Sequence, residues 1–278
     1  MNTQTVPFVK RDGINWTSVI TFTLFHAGAI AAFFFFTWPA FVTFLVLYWV
    51  SLSLGIGMGY HRLLTHRGYK VPKPLEYALA VCGSLALEGG PIPWVATHRV
   101  HHKHSDQEGD PHTPRDGKWW SHLVWMLVGD ASNANIEDSA RFAPDLMRDP
   151  FHVWLSKFHY IPITISAILL AFGGLPFVLW GLCMRVTLGY HATWMVNSLT
   201  HFSGKRRFAT RDDSRNNALV AMVTFGEGWH NNHHAHPTSA RHGLAWYEVD
   251  MTWMLISMLR KLGIATSVRE ASIEGQSS

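Results

Sequence analysis

The chain has 278 residues, 48% apolar and only 15% charged, where water-soluble domains carry about a quarter charged residues. That charge fraction excludes a disordered chain and, despite a formal net charge of +4, a nucleic-acid binder. Cys82 and Cys183 are the only cysteines, so a disulfide-stapled module is excluded too. A membrane protein or a large apolar globule is left, with 18 histidines to account for.

No Asp, Glu, Lys or Arg occurs between Asp12 and Arg62. A bilayer core takes roughly 20 helical residues, so this stretch is too long for one span and suits two, Ser18–Phe36 and Ala40–Gly59. Thr37-Trp38-Pro39 forms the turn, because Pro39 cannot continue the first helix. The competing reading, a buried helical hairpin in a soluble core, needs a larger polar shell than the chain supplies. The segment Leu79–Trp94 is apolar but broken by Glu88, Gly89, Gly90, Pro91 and Pro93, and reads as an interfacial or half-buried helix. A second apolar block predicts spans over 160–173 and 177–198, parted by the turn Gly173-Gly174-Leu175-Pro176. Arg185 lies inside the fourth span. A mid-bilayer arginine costs about 2.5–3.5 kcal/mol, so it either snorkels or meets a polar partner.

Basic residues flank the spans: Lys10 and Arg11, then Arg62, Arg67, Lys70 and Lys73, then Lys157, then Lys205, Arg206, Arg207 and Arg211. By the positive-inside rule both termini and every large polar segment are cytoplasmic. The expectation is an all-α, multi-pass membrane protein, with four transmembrane helices in two hairpins under one cytosolic, histidine-rich helical cap. No signal peptide, repeat or linker is visible, and the polar tail 270–278 is expected to be disordered.

Eight histidines fall in three clusters: His61 and His66; His98, His101 and His102; His230, His233 and His234. Spacings of three, four and five residues keep side chains on roughly one helical face, and all three clusters sit at membrane exits on the same side. Neutral imidazole is a good ligand for iron, copper and zinc. Eight ligands exceed what one ion takes, so two ions are implied. A ferritin-like di-iron bundle would need two Glu-x-x-His motifs, but Glu227-Gly-Trp-His230 is the only one. The His-Glu-x-x-His of zinc proteases is absent. A transition-metal-binding or transport protein would place its ligands within the bilayer, where only His26 and His191 qualify.

The pattern His-x4-His, His-x2-His-His, His-x2-His-His resembles the integral-membrane fatty acid desaturases, above all their Δ9 branch of stearoyl-CoA and bacterial acyl-lipid enzymes. The motifs are Gly59-Tyr60-His61-Arg62-Leu63; Trp94 with His98-Arg99-Val100-His101-His102-Lys103 and Asp110-Pro111-His112; Thr193-Trp194-Met195-Val196-Asn197-Ser198 with His201; and Gly226-Glu227-Gly228-Trp229-His230-Asn231-Asn232-His233-His234. The resemblance runs from about Gly55 to Trp246, within a single domain over 1–278.

The resemblance implies a centre of two iron ions held by nine histidines, the eight above and His201, with Asn197 reaching an iron through water. Asn197 and His201 are i, i+4 neighbours, which agrees. His104, His112, His191 and His236 stay unassigned. Metal-bound histidines usually give their other N–H to a carboxylate or carbonyl, for which Asp106, Asp110 and Glu227 are candidates. The implied reaction puts a cis double bond, at Δ9, into a long saturated acyl chain with O₂ as co-substrate, and no catalytic residue is needed beyond the metals. Trp94 and Trp194 correspond to residues near the acyl head. Leu45 and Trp49, three to four turns before His61, are candidates to close the methyl end. Val95-Ala96-Thr97 and Val128-Gly129-Asp130 stand where animal acyl-CoA members carry basic residues, which favours a membrane-lipid carrier while leaving CoA open. Electrons would come from an external ferredoxin, rubredoxin or cytochrome b-type donor with its reductase, docking near Lys205 to Arg211 or elsewhere on the cap. The rival within the same chemistry is a membrane di-iron hydroxylase.

Overall fold

A computed structural model describes residues 13–129 and 136–271. Lys10, Arg11, Asp130 and the tail beyond residue 271 lie outside the described residues, whereas Glu270 is described and pairs with Arg260. Helices account for the architecture, and among the described residues β-structure is confined to isolated bridges.

The first apolar stretch forms two helices long and apolar enough to cross a membrane, α1 (Trp16–Phe35) and α2 (Trp38–Thr65). The Asn15 side chain caps α1 by accepting from Ser18 N. Thr37, extended at φ −142°, caps α2, whose second residue is Pro39. The helix α2 runs a turn and a half past the expected end. From Val50 to Thr65 its turns are widened to i→i+5 hydrogen bonds, and His66 N donates to His61 O at 3.1 Å beyond its end. Five α-helical residues would leave His61 and His66 about 140° apart. The wider turn carries five residues closer to one full revolution, and the two rings meet at 4.8 Å between centroids.

The segment 79–94 is not one helix. Helix α3 (Lys73–Ser84) ends and α4 (Pro91–His104) begins within it, and the loop between them holds Leu87 at φ 60° and Gly89 at φ 96°. Proline at the first turn of α4 is compatible with a helix start and not with a helix interior. The apolar residues Leu79, Ala80, Ile92, Val95 and Ala96 are buried against α2 in the main core. Close packing follows from glycine: a Cβ on Gly55 would stand 2.5 Å from Cys82 O, and one on Gly59 2.9 Å from Leu79 O.

The second apolar block begins with α5 (Pro150–Lys157) and α6 (Tyr160–Phe172), bent by 60° and able to cross together. Asp149 caps α5 and binds Lys73 and Tyr77 of α3, tying the two helices. After Gly174, at φ 86°, residues 175–197 form continuous helix α7. Trp180 of α7 is enclosed by Phe33, Phe36, Phe41 and Phe44 of the first hairpin. Beyond α7 come the short helix α8 (His230–Ala235) and α9 (Met251–Lys261).

Arg185 meets polar partners and does not snorkel. It is 1% exposed, its Nε donates to Gly181 O at 2.8 Å and a terminal nitrogen donates to Leu85 O at 2.6 Å. The cation thus caps the carbonyl end of α3, where the helix dipole is negative, and fastens the α3–α4 loop to α7. Replacing it, Arg185→Met, strands the Leu85 carbonyl and should cost about 1–3 kcal/mol of stability, read as a lower melting temperature of the detergent-solubilised protein.

Candidate metal centre

Four elements converge: the end of α2, the C-terminal half of α4, the turn Leu199–Phe202, and α8. They bring all nine candidate histidines into two sets. In the first, ring nitrogens of His61, His66, His98, His102 and His233 lie within 4.8 Å of one another; in the second, those of His101, His201, His230 and His234 do. Helical geometry explains the division. At about 100° per residue, an i, i+4 pair differs by about 40° and the i+3 residue falls to the other side. On α4 the pair His98 and His102 serves the first set and His101 the second; on α8 the pair His230 and His234 serves the second and His233 the first. The sets touch where His102 stacks on His234, 4.5 Å between centroids.

The outward nitrogens are held by carboxylates. The Nδ1 of His61 donates to Glu227, that of His101 to Asp110 at 3.0 Å, that of His201 to Asp106 at 2.9 Å, and that of His234 to Asp212 at 2.8 Å. A proton fixed on Nδ1 leaves the Nε2 lone pair free and pointing into the set. Burial, and then the neighbouring imidazoles, holds His98, His102, His230 and His233 far below the usual histidine pKa. Burial alone would raise Asp110, but His101 and His112 outweigh it and keep the carboxylate ionised.

These sets fit metal ions. Nε2–Nε2 separations are 3.1 Å for His61–His233, 3.0 Å for His98–His102, 2.9 Å for His102–His233 and 3.0 Å for His201–His230. Two ligands about 2.1 Å from one ion at right angles stand roughly 3 Å apart. The Nε2 atoms of His66 and His234 are buried with no hydrogen-bond partner, the expected state of a ligand atom.

All three expected carboxylates, Asp106, Asp110 and Glu227, are in place. Asp212 and Arg62 were not expected. Arg62, fully buried, binds Glu227 at 2.7 Å and Asp250 at 3.0 Å, and so locks the carboxylate that holds His61. His242 is a further buried imidazole, 4.5 Å from the His233 ring and 3.4 Å from Glu227. Only Arg62, inside the first motif, had a sequence signal; Asp212 and His242 stand in unpatterned loops. Of the unassigned histidines, His112 stacks on His101 at 4.4 Å, and His191 joins His26 and His122 in a hydrogen-bonded row. His104 and His236 belong to neither set.

A cavity of about 510 Å³ reaches the first set at His98. Trp94, Trp194 and Asn197 line it, as do Phe22, Tyr190 and Glu88. Trp94 lies flat against His98 and donates from Nε1 to Glu88 at 3.0 Å, and Thr193 donates to the other Glu88 oxygen at 2.7 Å. Burial pushes Glu88 up to about 7, against the bonds from Thr193 and Trp94. Asn197 is the last residue of α7, one turn before His201. Leu45 and Trp49 stand outside this lining, Leu45 exposed on α2 and Trp49 half-buried.

Comparison with known proteins agrees with this geometry. A family profile described as fatty acid desaturase matches residues 7–266. The chain belongs to the fatty acid desaturase family. It is 47% identical over 270 residues to an sn-1 stearoyl-lipid 9-desaturase of Anabaena variabilis, covering 96% of this chain and 98% of that one. It is 44% identical over 264 residues to an sn-2 palmitoyl-lipid 9-desaturase of a Nostoc species, covering 94% and 93%. An acyl-CoA 5-desaturase of Anemone leveillei is 44% identical over 250 residues, covering 89% and 77%. As a desaturase the chain is an oxidoreductase of lipid metabolism, with apolar helices and histidine clusters suited to a membrane and to metal.

In this desaturase, Asp212→Asn should weaken metal binding about 10–100-fold, and His201→Ala should empty the four-histidine set. Both are measured by chelator competition and metal content per chain.

Proposed function

We propose that this desaturase introduces a cis Δ9 double bond into a saturated acyl chain esterified to a membrane lipid, using two iron ions, O₂ and electrons from an external donor. The observation that carries the reading is the pair of buried histidine sets at one end of an apolar cavity, with His98 belonging both to the first set and to the cavity wall. Iron bound in these sets supplies the O₂-derived oxidising power that an unactivated methylene requires and that acid–base groups cannot provide. The remaining work belongs to the chain. Trp94, Trp194, Phe22 and Tyr190 wall the acyl chain from water. Trp94, Glu88 and Thr193 form a hydrogen-bonded brace that fixes the wall beside His98. Asn197, at the junction of cavity and second set, is assigned to a metal through water. Asp106, Asp110, Asp212 and Glu227 hold the imidazoles in the ligating tautomer.

Several 9-desaturases among the relatives are named for acyl-lipid substrates, which supports the lipid carrier. Four membrane passes, α1, α2, α6 and α7, with both termini cytoplasmic, suit a tail that enters from the apolar side while its head group stays at the surface. The donor, a ferredoxin, rubredoxin or cytochrome b-type protein, is assigned to the basic segment Lys205–Arg211, which lies against the site: Arg211 donates to the carbonyls of His102 and Lys103.

Expression in cells that lack unsaturated fatty acids, followed by mass spectrometry of total lipids, tests the reading. A Δ9 double bond on lipid-bound chains is expected, and none with His101→Ala. A hydroxyl in place of the double bond would instead mark a hydroxylase. Chain length is assigned separately to α2: Trp49→Ala should lengthen the accepted chain, and an unchanged product profile removes Leu45 and Trp49 from the channel.

A further inference from the structure

We infer that α9 and the chain leading into it lie in the membrane–water interface, as a lipid-facing belt beside the metal centre; this rests on the reading of α2 as a membrane span. The helix has two faces. Met251, Met254 and Met258 are 43%, 62% and 51% exposed at spacings of three and four, and Leu262 extends the stripe, while Thr252 and Ile256 face inward and are buried. Trp246, 93% exposed, precedes the helix, and Met222, 68% exposed, lies in the segment 218–223 that is fastened to the same span. Water-soluble surfaces rarely gather so large an apolar patch.

Its depth says what covers it. Counting about 20 residues from Trp38 through a bilayer core ends near residue 57. Within that stretch Tyr48 donates to Val223 O at 3.0 Å and packs on Phe225, and the hydroxyls of Ser53 and Thr252 meet at 3.3 Å. A Cβ on Gly57 would stand 3.1 Å from the Thr252 hydroxyl. The segment 218–225 and the start of α9 are therefore fastened to the inner half of the span, where their outward side chains meet acyl chains and lipid headgroups. Methionine and leucine on one face, with tryptophan beside it and exposed Lys261 at the end, is the composition of an interfacial helix.

The belt also bears on the centre. Asp250 caps α9 by accepting from Trp253 N at 2.9 Å and binds Arg62, which holds Glu227 against His61. The brace of the first histidine set is thus built on the end of the interfacial helix.

Site-specific fluorescence tests this. In a Cys82→Ala, Cys183→Ala background that retains its metal, single cysteines at Met254, Met258, Leu24 and Glu108 are labelled with bimane and the protein is reconstituted in phosphatidylcholine vesicles. Lipids carrying a doxyl quencher on the acyl chain, near its headgroup end or near its methyl end, are then added. Leu24, 65% exposed on α1, reports lipid, and Glu108, exposed on the polar cap, reports water. Met254→Cys and Met258→Cys should be quenched to an extent comparable with Leu24→Cys, and Glu108→Cys should not. Met254 and Met258 behaving like Glu108 while Leu24 is quenched overturns the belt and leaves the membrane spans standing. An unquenched Leu24 overturns the spanning reading, and the belt with it.

Discussion

Everything in this structure serves one constraint: many neutral imidazoles must face each other across about 3 Å without water between them. Unsupported, such lone pairs repel, and each ring would turn away or take up a proton. The structure prevents both. Burial holds His66, His98, His102, His230, His233 and His234 below the usual histidine range, and carboxylates on the outer nitrogens of His61, His101, His201 and His234 fix which nitrogen carries the proton. The carboxylates are themselves anchored, Glu227 by Arg62 and Asp106 by the backbone N–H of Asp213. A cation between the lone pairs turns their mutual repulsion into ligation.

That constraint explains the unusual features of the membrane helices. The widened turns of α2 bring His61 and His66 to one side, at the cost of regular i→i+4 bonding. The Gly55 and Gly59 notches let α3 lie against the same stretch, so the histidine-bearing end of α2 sits inside the protein although its other end is apolar and largely exposed. Arg185 fastens the loop that carries Glu88. The cavity wall and the metal centre are therefore parts of one packed unit around α2.

The same unit joins the cavity to the helix α9. The cavity draws Phe22 from α1, Tyr190 and Trp194 from α7 and Trp94 from α4, of which Trp94 stacks on His98. On the other side of α2 the path from α9 through Asp250, Arg62 and Glu227 ends at His61. Cavity wall and histidine support thus converge on neighbouring residues of the first histidine set.

The sequence alone marked the histidines that gather in the two sets, because residue type and short helical spacing are local properties: three clusters supplied eight of them, and the ninth, His201, came from a motif. It likewise marked the first hairpin, since absence of charge over a bilayer's length is legible residue by residue. Other features depended on contacts far apart in sequence. Whether a cluster serves one ion or two depends on how α4 and α8 are turned toward each other, so the reciprocal sharing of His98, His102 and His101 against His230, His234 and His233 appeared only in the tertiary structure. The segment 79–94 resembled a single interfacial helix because its apolar content outweighed the Gly-Gly-Pro break, and packing against α2 showed two helices. Asp212, His242 and the partner of Arg185 came from loops and backbone carbonyls that carry no pattern, because a contact between residues in different elements leaves no trace in local composition.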